Sequence, residues 1–248
     1  MLSKAQISLI ASLQTKKFRL QHNLFVVEGI KSVLEFVHSA YKVQKIYATV
    51  EAATKLGKIP HNIKLEEINA QEFSKISSLK TPQGALALVE IPENKELNPT
   101  YLQGKHSLLL DDVQDPGNLG TIIRTAEWFG IEHIICSLGT VDAYNPKVVQ
   151  ATMGSLSRVN LYYIDIEKFI DQNKIPTFGA LLNGQSIYHT DFGQEGIIIM
   201  GNEGNGIRQN LIPNIDTKVT IPRIGNAESL NVAVATTIFC SELSRQKL

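Results

Sequence analysis

The sequence predicts an α/β protein with a small N-terminal α/β domain and a larger C-terminal domain on a mostly parallel sheet. The chain has 248 residues, enough for two modest domains with cores of their own. Between two apolar runs, IPENKELNPTYLQGK at residues 91–105 gathers prolines, charges and polar residues, as exposed linkers do. We therefore expect domains over residues 1–95 and 107–248, joined by a linker over residues 96–106.

The N-terminal part contains the pattern of a small α/β unit. Residues 23–37 predict a strand that runs into a helix, and KVQKIYATV at residues 42–50 predicts a second strand. A helix is expected over residues 71–78, and the alternation in GALALVEI at residues 84–91 predicts another strand.

Strands and helices alternate regularly in the C-terminal part. Strands are predicted at residues 107–111, 133–137, 159–164, 177–182, 196–200 and 218–221, and helices at 119–129, 147–153, 166–172 and 229–246. Such alternation implies crossovers between parallel strands, with helices on both faces of the sheet. Binding sites in these sheets lie beyond the carboxyl ends of the strands.

The charge of the chain is balanced overall but unevenly distributed. Lys plus Arg and Asp plus Glu both number 24, yet residues 1–90 hold 12 of the cations and 7 of the carboxylates. The first 20 residues carry four cations and no carboxylate. This asymmetry points to a polyanionic partner, and it is equally consistent with a solvated basic surface.

Several classes of protein lack their sequence signals here. No segment reaches the roughly 18 apolar residues of a membrane helix, and Cys136 and Cys240 stand apart from any CxxC pair. The chain contains neither GxSxG nor HExxH, and its six histidines show no metal-ligand spacing. We expect a protein of the reducing cytoplasm that uses neither a membrane nor a metal.

The first segment with a chemical signature is LLLDDVQDPGNLGTIIRTAEWFG, residues 108–130. An apolar strand runs into a turn at residues 115–118, and the apolar residues that follow have the spacing of an amphipathic helix. Backbone N–H groups at the start of such a helix can hold an anion such as a phosphate. From spacing alone, Asn118 is also consistent with a helix cap and Arg124 with a solvated surface charge.

The second segment, GIIIMGNEGNGI at residues 196–207, is an apolar strand that ends among three glycines. Glycines in this place let a ligand approach the backbone. Their order is GxxGxG, and no Lys-Ser/Thr pair follows, so neither a dinucleotide fingerprint nor a P-loop is predicted. Glu203 stands in the turn, either as a solvated residue or as a buried carboxylate with a partner.

The third segment is TIPRIGNAESLNVAVATTIFCSEL, residues 220–243. Ser229 is placed to cap a helix, and the apolar stretch 230–240 indicates a helix buried in the core or against a second subunit. Ser229 and Asn231 stand at the start of this helix, where side chains can face a pocket.

In this order, the three segments resemble the three motifs of the SpoU (TrmH-type) branch of the SPOUT superfamily of RNA ribose 2′-O-methyltransferases. KKFRLQHNLFVVEGIKSV and TPQGALALVEI are similar to the RNA substrate-binding domain that many members carry. The resemblance implies a C-terminal SPOUT domain with a trefoil knot, a homodimer formed through that domain, and S-adenosylmethionine as cofactor. The implied partner is RNA, with ribosomal RNA favoured over transfer RNA.

The resemblance also assigns residues to the site. The polar positions that match the motifs are the expected catalytic residues: Asn118, Arg124, Glu203, Ser229 and Asn231. The positions that match the family's cofactor site, which is formed largely by backbone groups, are Leu181, Gly201, Asn202, Ile221 and Leu230. The cations expected to bind RNA are Lys16, Lys17, Arg19 and Arg124.

The residue types suggest a division of roles in methyl transfer. Arg124 is expected to bind the phosphate beside the target ribose and to stabilise the developing alkoxide, since a guanidinium stays charged and matches phosphate oxygens. Asn118 would hold Arg124 or the ribose, and Glu203 would orient either of them. The alternatives are a transfer-RNA 2′-O-methyltransferase, a non-catalytic RNA-binding relative and, from the glycines alone, a nucleotide-dependent oxidoreductase.

Overall fold

The computed structural model describes residues 1–93 and 96–247, and contacts divide the chain into two units. The first unit comprises Met1–Glu93 together with Asp142–Ser157, and the second contains the other described residues. Residues 142–157 fall in the predicted C-terminal domain, but in the structure they pack with the first unit. The other predicted domain boundaries stay a prediction.

The first unit is a four-stranded sheet with helices. Its helices are α1 (Lys4–Ser12), α2 (Lys16–His22), α3 (Ile30–Val37), α4 (Val50–Leu56), α5 (Ala70–Ser74) and α7 (Pro146–Thr152). Its strands are β1 (Leu24–Glu28), β2 (Val43–Ala48), β3 (Lys64–Glu67) and β4 (Ala85–Glu90). The sheet order is β1-β4-β2-β3, with antiparallel pairs on both sides of β4 and a parallel β2–β3 pair.

Aromatic packing explains why residues 142–157 lie in the first unit. The ring of Tyr144 lies 4.8 Å from the ring of Phe25 on β1, and Phe25 also meets Phe36 of α3 edge to face. Helix α7 begins after Asn145, whose side chain caps it, and packs against β1. Aromatic burial of this kind contributes strongly to a core, and single-sequence periodicity carries no sign of it.

The second unit is an α/β layer whose sheet is parallel throughout the described residues. Its strands are β5 (His106–Leu110), β6 (His133–Ser137), β7 (Asn160–Ile164), β8 (Thr177–Ser186), β9 (Gly196–Met200) and β10 (Thr217–Thr220). Its helices are α6 (Pro116–Trp128), α8 (Ile166–Gln172) and α9 (Val232–Arg245). The sheet order is β10-β8-β9-β5-β6-β7.

Apolar content decides which strands are central. Strands β5, β6 and β9 are buried at every position, as expected where helices cover both faces of a parallel sheet. The outer strands β7 and β10 are only partly buried. The predicted linker 96–106 contains a short 3₁₀-helix, Pro99–Leu102, and Leu102 is fully buried against the core.

Strand β8 pairs with β10 in an irregular way that shapes the site. Phe178 and Gly179 pair with Thr217 and Lys218, but the next paired residues on β8 are Gln185 and Ser186. The intervening residues 180–184 leave the ladder at the carboxyl end of the sheet.

The trefoil knot expected from the resemblance stays a prediction. No helix within the described residues has the length and apolar content to cross a bilayer.

Candidate active site

A cavity of about 810 Å³ lies at the carboxyl ends of β8, β9 and β10, where parallel sheets place their ligand sites. Its walls come from residues 180–183, which leave the β8 ladder, from the turn after β9, and from the segment between β10 and α9. The volume falls within the roughly 300–1,000 Å³ of small-molecule sites.

The turn after β9, residues 201–207, is named the glycine loop here. The backbones of Asn202 and Gly206 exchange hydrogen bonds of 2.9 and 3.0 Å, and Asn202 Oδ1 accepts the backbone N–H groups of Gly204 and Asn205. A Cβ at Gly201 would lie 2.2 Å from the carbonyl carbon of Gly206, so a side chain there would force the loop open. Every residue of the glycine loop lines the cavity.

Glu203, at the tip of the glycine loop, is held by the start of α6. Its carboxylate accepts hydrogen bonds from Asp115 N at 3.1 Å, from Gln114 N at 3.3 Å and from Asn118 Nδ2 at 3.0 Å. Burial alone would raise the pKa of Glu203, but these hydrogen bonds favour the anion and leave the pKa below its ordinary value. Glu203 is therefore a fixed anion and a poor proton acceptor.

Asn118 links the first and third sequence segments. It lies within α6, whose cap is Asp115, because Asp115 Oδ1 accepts the backbone N–H of Asn118 at 2.8 Å. The side chain of Asn118 is consequently free of capping, and its Oδ1 accepts a hydrogen bond from Asn231 Nδ2 at 2.9 Å. A continuous line of hydrogen bonds runs from Glu203 through Asn118 to Asn231.

Asn231 has a second role as the cap of α9. Its Oδ1 accepts the backbone N–H groups of Ala233 and Val234 at 2.9 and 3.3 Å. The expectation that α9 begins at Ser229 is wrong, since the helix begins at Val232 and Asn231 supplies the cap. Ser229 instead lies in the exposed segment before the helix, where it lines the cavity.

Arg124 stands apart from the hydrogen-bonded line. It lies on the exposed side of α6, away from the buried stripe of Leu119, Ile122, Ile123 and Ala126. Within the part of the chain that the structure describes, its guanidinium has neither a hydrogen-bond partner nor an ion-pair partner. All five donors of the group are thus available to an external anion.

The cavity fits the expected cofactor. All five predicted cofactor positions line it: Leu181, Gly201, Asn202, Ile221 and Leu230. Apolar side chains from β8 and α9 can cover an aromatic base, while the close-packed backbone of the glycine loop offers polar groups without side chains in the way. Among the described residues, no group of three or more His, Cys, Asp and Glu is placed to hold a metal ion.

One of the predicted RNA-binding cations is buried in the first unit. Arg19 is 2% exposed, and its guanidinium donates to Asp142 Oδ2 at 2.6 and 3.2 Å and to the carbonyl oxygens of Leu13 and Gln14. The expectation that Arg19 binds RNA is therefore wrong, because the side chain is buried and four of its five donors are already used. Lys16 and Lys17 are exposed on the same helix and stay candidates.

Sequence reasoning missed the residues that fix the glycine loop. Asp111 and Asp112 follow β5; the carboxylate of Asp111 accepts hydrogen bonds from Arg208, and the backbone carbonyl of Asp112 accepts one from Asn202. An acid directly after a buried strand of a parallel sheet was the available signal for Asp111, because that position faces the ligand end of the sheet. Nothing in the sequence marks Arg208 as their partner.

Comparisons with known families match both parts of the chain. Residues 105–241 match the model of the SpoU rRNA Methylase family, and residues 4–87 match that of the MRM3-like substrate binding domain. The 23S rRNA (guanosine(2553)-2′-O)-methyltransferase RlmP of Bacillus subtilis is 34% identical over 239 residues, which is 93% of this chain and 92% of the relative. The 23S rRNA (guanosine-2′-O-)-methyltransferase RlmB of Neisseria meningitidis is 28% identical, covering 75% of this chain and 78% of the relative.

Solved structures agree over the full length. A TrmH-family protein from Porphyromonas gingivalis superposes with a TM-score of 0.90 at 39% identity, covering 99% of both chains. An AdoMet-bound rRNA methyltransferase from Sinorhizobium meliloti superposes with a TM-score of 0.86 at 27% identity, covering 100% of this chain and 97% of that one.

Proposed function

The chain belongs to the SpoU rRNA methylase family, and from this premise we propose that it methylates a ribose 2′-hydroxyl of a guanosine in 23S ribosomal RNA. Family and fold class are as the sequence predicted. The chain is an RNA ribose 2′-O-methyltransferase that uses S-adenosylmethionine. The choice of a 23S guanosine is supported by the names of the relatives RlmP and RlmB.

The observation that carries the proposal is the hydrogen-bonded line beside the cavity. One residue from each of the three motifs takes part, and the line ends on the glycine loop. Such a line fixes the orientation of the Asn118 amide, because Glu203 accepts from its nitrogen while Asn231 donates to its oxygen. A fixed polar group next to a small-molecule cavity is what two-substrate transfer needs for alignment.

S-adenosylmethionine supplies an electrophilic methyl group when it is bound. Leu181, Ile221 and Leu230 would pack around its apolar part, and the backbone of the glycine loop would meet its polar groups. Ser229 lines the same cavity and is placed to contact either substrate. The protein thus contributes binding and alignment rather than a nucleophile of its own.

Arg124 would bind the RNA phosphate next to the target ribose. Its free guanidinium can form two parallel hydrogen bonds to phosphate oxygens. The charge also stabilises the 2′-oxygen as the new C–O bond forms and the S–C bond breaks, while the hydroxyl proton leaves to water or to a phosphate oxygen. We do not assign this proton to Glu203, because the hydrogen bonds that lower its pKa make the carboxylate a weaker base.

The first unit would select the RNA, with Lys16 and Lys17 of α2 contacting its phosphates. We place the protein in the cytoplasm as a homodimer formed through the second unit. Apolar side chains that are exposed on that unit and do not line the cavity, Trp128, Leu138 and Val234, support an interface of this kind.

The test is methyl transfer to purified RNA classes. The protein is incubated with labelled S-adenosylmethionine and, separately, with unmodified 23S rRNA, 16S rRNA and total tRNA. Digestion to nucleosides then locates the label. We expect label in 2′-O-methylguanosine from 23S rRNA alone.

Other outcomes separate the alternatives. Label in tRNA would replace the proposed substrate with transfer RNA. Cofactor binding without label in any RNA, including intact ribosomal subunits, would favour the non-catalytic relative. Binding of a nicotinamide cofactor in place of S-adenosylmethionine would restore the oxidoreductase alternative.

A further inference from the structure

Two aspartates that follow β5 hold both ends of the glycine loop. The carboxylate of Asp111 accepts two hydrogen bonds from Arg208, one from the backbone N at 2.8 Å and one from Nε at 2.7 Å. The carbonyl oxygen of the next residue, Asp112, accepts a hydrogen bond from Asn202 Nδ2 at 2.7 Å. Asn202 lies near the start of the glycine loop and Arg208 directly follows its end. One dipeptide therefore ties down both ends of the loop.

Asp112 is itself fixed by the neighbouring strand. Its φ of 56° is in the left-handed region, which a residue other than glycine adopts only at a cost. Ser137, at the end of β6, compensates: its Oγ accepts the Asp112 backbone N–H at 2.9 Å and donates to Asp112 Oδ1 at 2.5 Å. A Cβ at Gly139 would lie 2.4 Å from the same carboxylate oxygen, so the glycine leaves it room.

The pair between Asp111 and Arg208 differs from an ordinary surface ion pair. Asp111 is 1% exposed, so its carboxylate depends on Arg208 for compensation. The arginine is fixed from a second side, because its Nη1 donates to Glu167 Oε1 on α8 at 3.1 Å. Movement of the end of the glycine loop would leave a buried carboxylate without its partner, so the pair favours the observed conformation of the loop.

We propose that Asp111 and Arg208 are positioning residues for methyl transfer. Their pair, with the bond from Asn202 to Asp112, holds the glycine loop so that it lines the cavity while Glu203 accepts a hydrogen bond from Asn118. Neither Asp111 nor Arg208 lines the cavity. The inference rests on the proposed function, since it takes this cavity as the S-adenosylmethionine site.

The experiment compares Arg208→Gln and Arg208→Lys with wild type in calorimetric titration with S-adenosylmethionine and in methyl transfer at saturating RNA. Arg208→Gln loses the cation, and we expect the cofactor Kd to rise about tenfold and kcat to fall by a similar factor. Arg208→Lys keeps the charge next to Asp111 but cannot reach Glu167 at the same time. Its cofactor Kd should therefore lie between those of wild type and Arg208→Gln.

Arg245→Gln is the matched control. Arg245 pairs with the buried carboxylate of Glu242 through two hydrogen bonds on α9, and it does not line the cavity. We expect this variant to lower the unfolding midpoint while cofactor Kd and kcat stay at the wild-type values. An Arg208→Gln protein that does the same would overturn the inference.

A variant of Asp111 tests whether the effect of Arg208→Gln comes from the lost ion pair rather than from the glutamine side chain itself. Asp111→Asn keeps an acceptor for the Arg208 backbone N–H but loses the charge, and it should raise the cofactor Kd in the same direction as Arg208→Gln. Unchanged cofactor binding in both variants of an active enzyme would refute the positioning role alone. A wild-type protein that fails to bind S-adenosylmethionine would refute the proposed function as well.

Discussion

At the scale of single residues, the site depends on amide and carboxylate groups whose orientations are fixed by one another. The resemblance identified Asn118, Glu203 and Asn231, and the structure joins them by hydrogen bonds. Asn118 Nδ2 donates to Glu203 at 3.0 Å, and Asn231 Nδ2 donates to Asn118 at 2.9 Å. Arg124 has no comparable partner in the described part of the chain. This contrast supports the proposed division of roles, in which the first three residues organise the site and Arg124 binds the RNA.

Glu203→Gln tests the organising role. The amide cannot accept at both of its terminal atoms, so at least one hydrogen bond from the start of α6 is lost. Losing a charge-assisted bond of about 1.5–3 kcal/mol should slow methyl transfer about 10- to 100-fold. The pKa of Glu203 lies below its ordinary value, so the carboxylate is already ionised at about pH 6. The pH–rate profile of Glu203→Gln between about pH 6 and pH 9 should therefore have the same shape as that of wild type.

Glu195→Gln is the control for this measurement. The carboxylate of Glu195 also accepts a backbone N–H, from Gly104, but does not line the cavity. It should transfer methyl groups at the wild-type rate. A Glu203→Gln profile that loses an ionisation seen in wild type would show that Glu203 takes part in proton transfer, against our assignment.

At the scale of helices and strands, the boundaries that the sequence does not predict depend on capping residues and tertiary contacts. Strands β6 and β9 and helix α8 have the predicted boundaries, because unbroken apolar runs and Asp165 as a cap are local signals. The start of α9 differs from the prediction because Ser229 and Asn231 are both good caps; in the structure Asn231 is the cap, and its side chain also donates to Asn118, 113 residues away. Contacts at that separation leave no trace in local periodicity.

Two substitutions at Asn231 separate its two roles. Asn231→Ser keeps an N-cap and removes the amide that donates to Asn118, so stability should hold while methyl transfer falls about tenfold. Asn231→Ala should lose both the N-cap of α9 and the hydrogen bond to Asn118, and its free energy of unfolding should be about 1 kcal/mol lower than that of wild type. Urea unfolding and single-turnover transfer are the measurements. Equal activity in the serine variant and wild type would mean that the bond to Asn118 has no catalytic consequence.

Helix α2 separates a structural cation from surface cations. Arg19→Ala leaves Asp142 without its buried partner and should reduce the free energy of unfolding by about 3 kcal/mol. Lys17→Ala should change the free energy of unfolding by less than about 0.5 kcal/mol. The same variant should make the slope of log RNA affinity against log salt concentration shallower by about one. Urea unfolding and salt-dependent RNA binding check both. A Lys17→Ala protein with an unchanged salt slope would remove α2 from the RNA-binding surface.

At the scale of the whole molecule, the first unit contains the candidate RNA-binding residues Lys16 and Lys17, and the second contains the cavity and all three motifs. Charge distribution and linker composition predict two domains from the sequence, and the boundaries between them stay a prediction. The sequence did not predict that residues 142–157, within the match to the methylase family, would pack with the first unit. That contact depends on aromatic rings and a buried ion pair between distant parts of the chain, for which one sequence offers no evidence.

The stability of the second unit should depend on pH through its buried histidines. Burial lowers the pKa of His106 and of His133 below the ordinary value. As the pH falls below about 6.5, the unfolded chain takes up protons before the folded chain does, so the free energy of unfolding decreases. The carboxylates with lowered pKa lose their contribution only below about pH 4.5.

The measurement is urea unfolding at about pH 8 and pH 5.5 for wild type and His106→Gln. Glutamine keeps an N–H for the carbonyl oxygen of Phe192, which His106 Nε2 contacts at 3.1 Å, but it does not titrate. The variant should therefore lose less stability than wild type on acidification. Equal losses in the two proteins would exclude His106 as a source of the pH dependence.

In the proposed active site, the cavity holds the cofactor and Arg124 acts on the RNA beside it. The most direct test measures S-adenosylmethionine Kd and single-turnover methyl transfer for wild type, Arg124→Ala and the exposed-cation control Lys174→Ala. We predict cofactor Kd values within about threefold of each other, and transfer by Arg124→Ala alone slower on the order of a hundredfold. Transfer by Arg124→Ala at the wild-type rate, or a loss of cofactor binding as large as its loss of rate, would contradict the account.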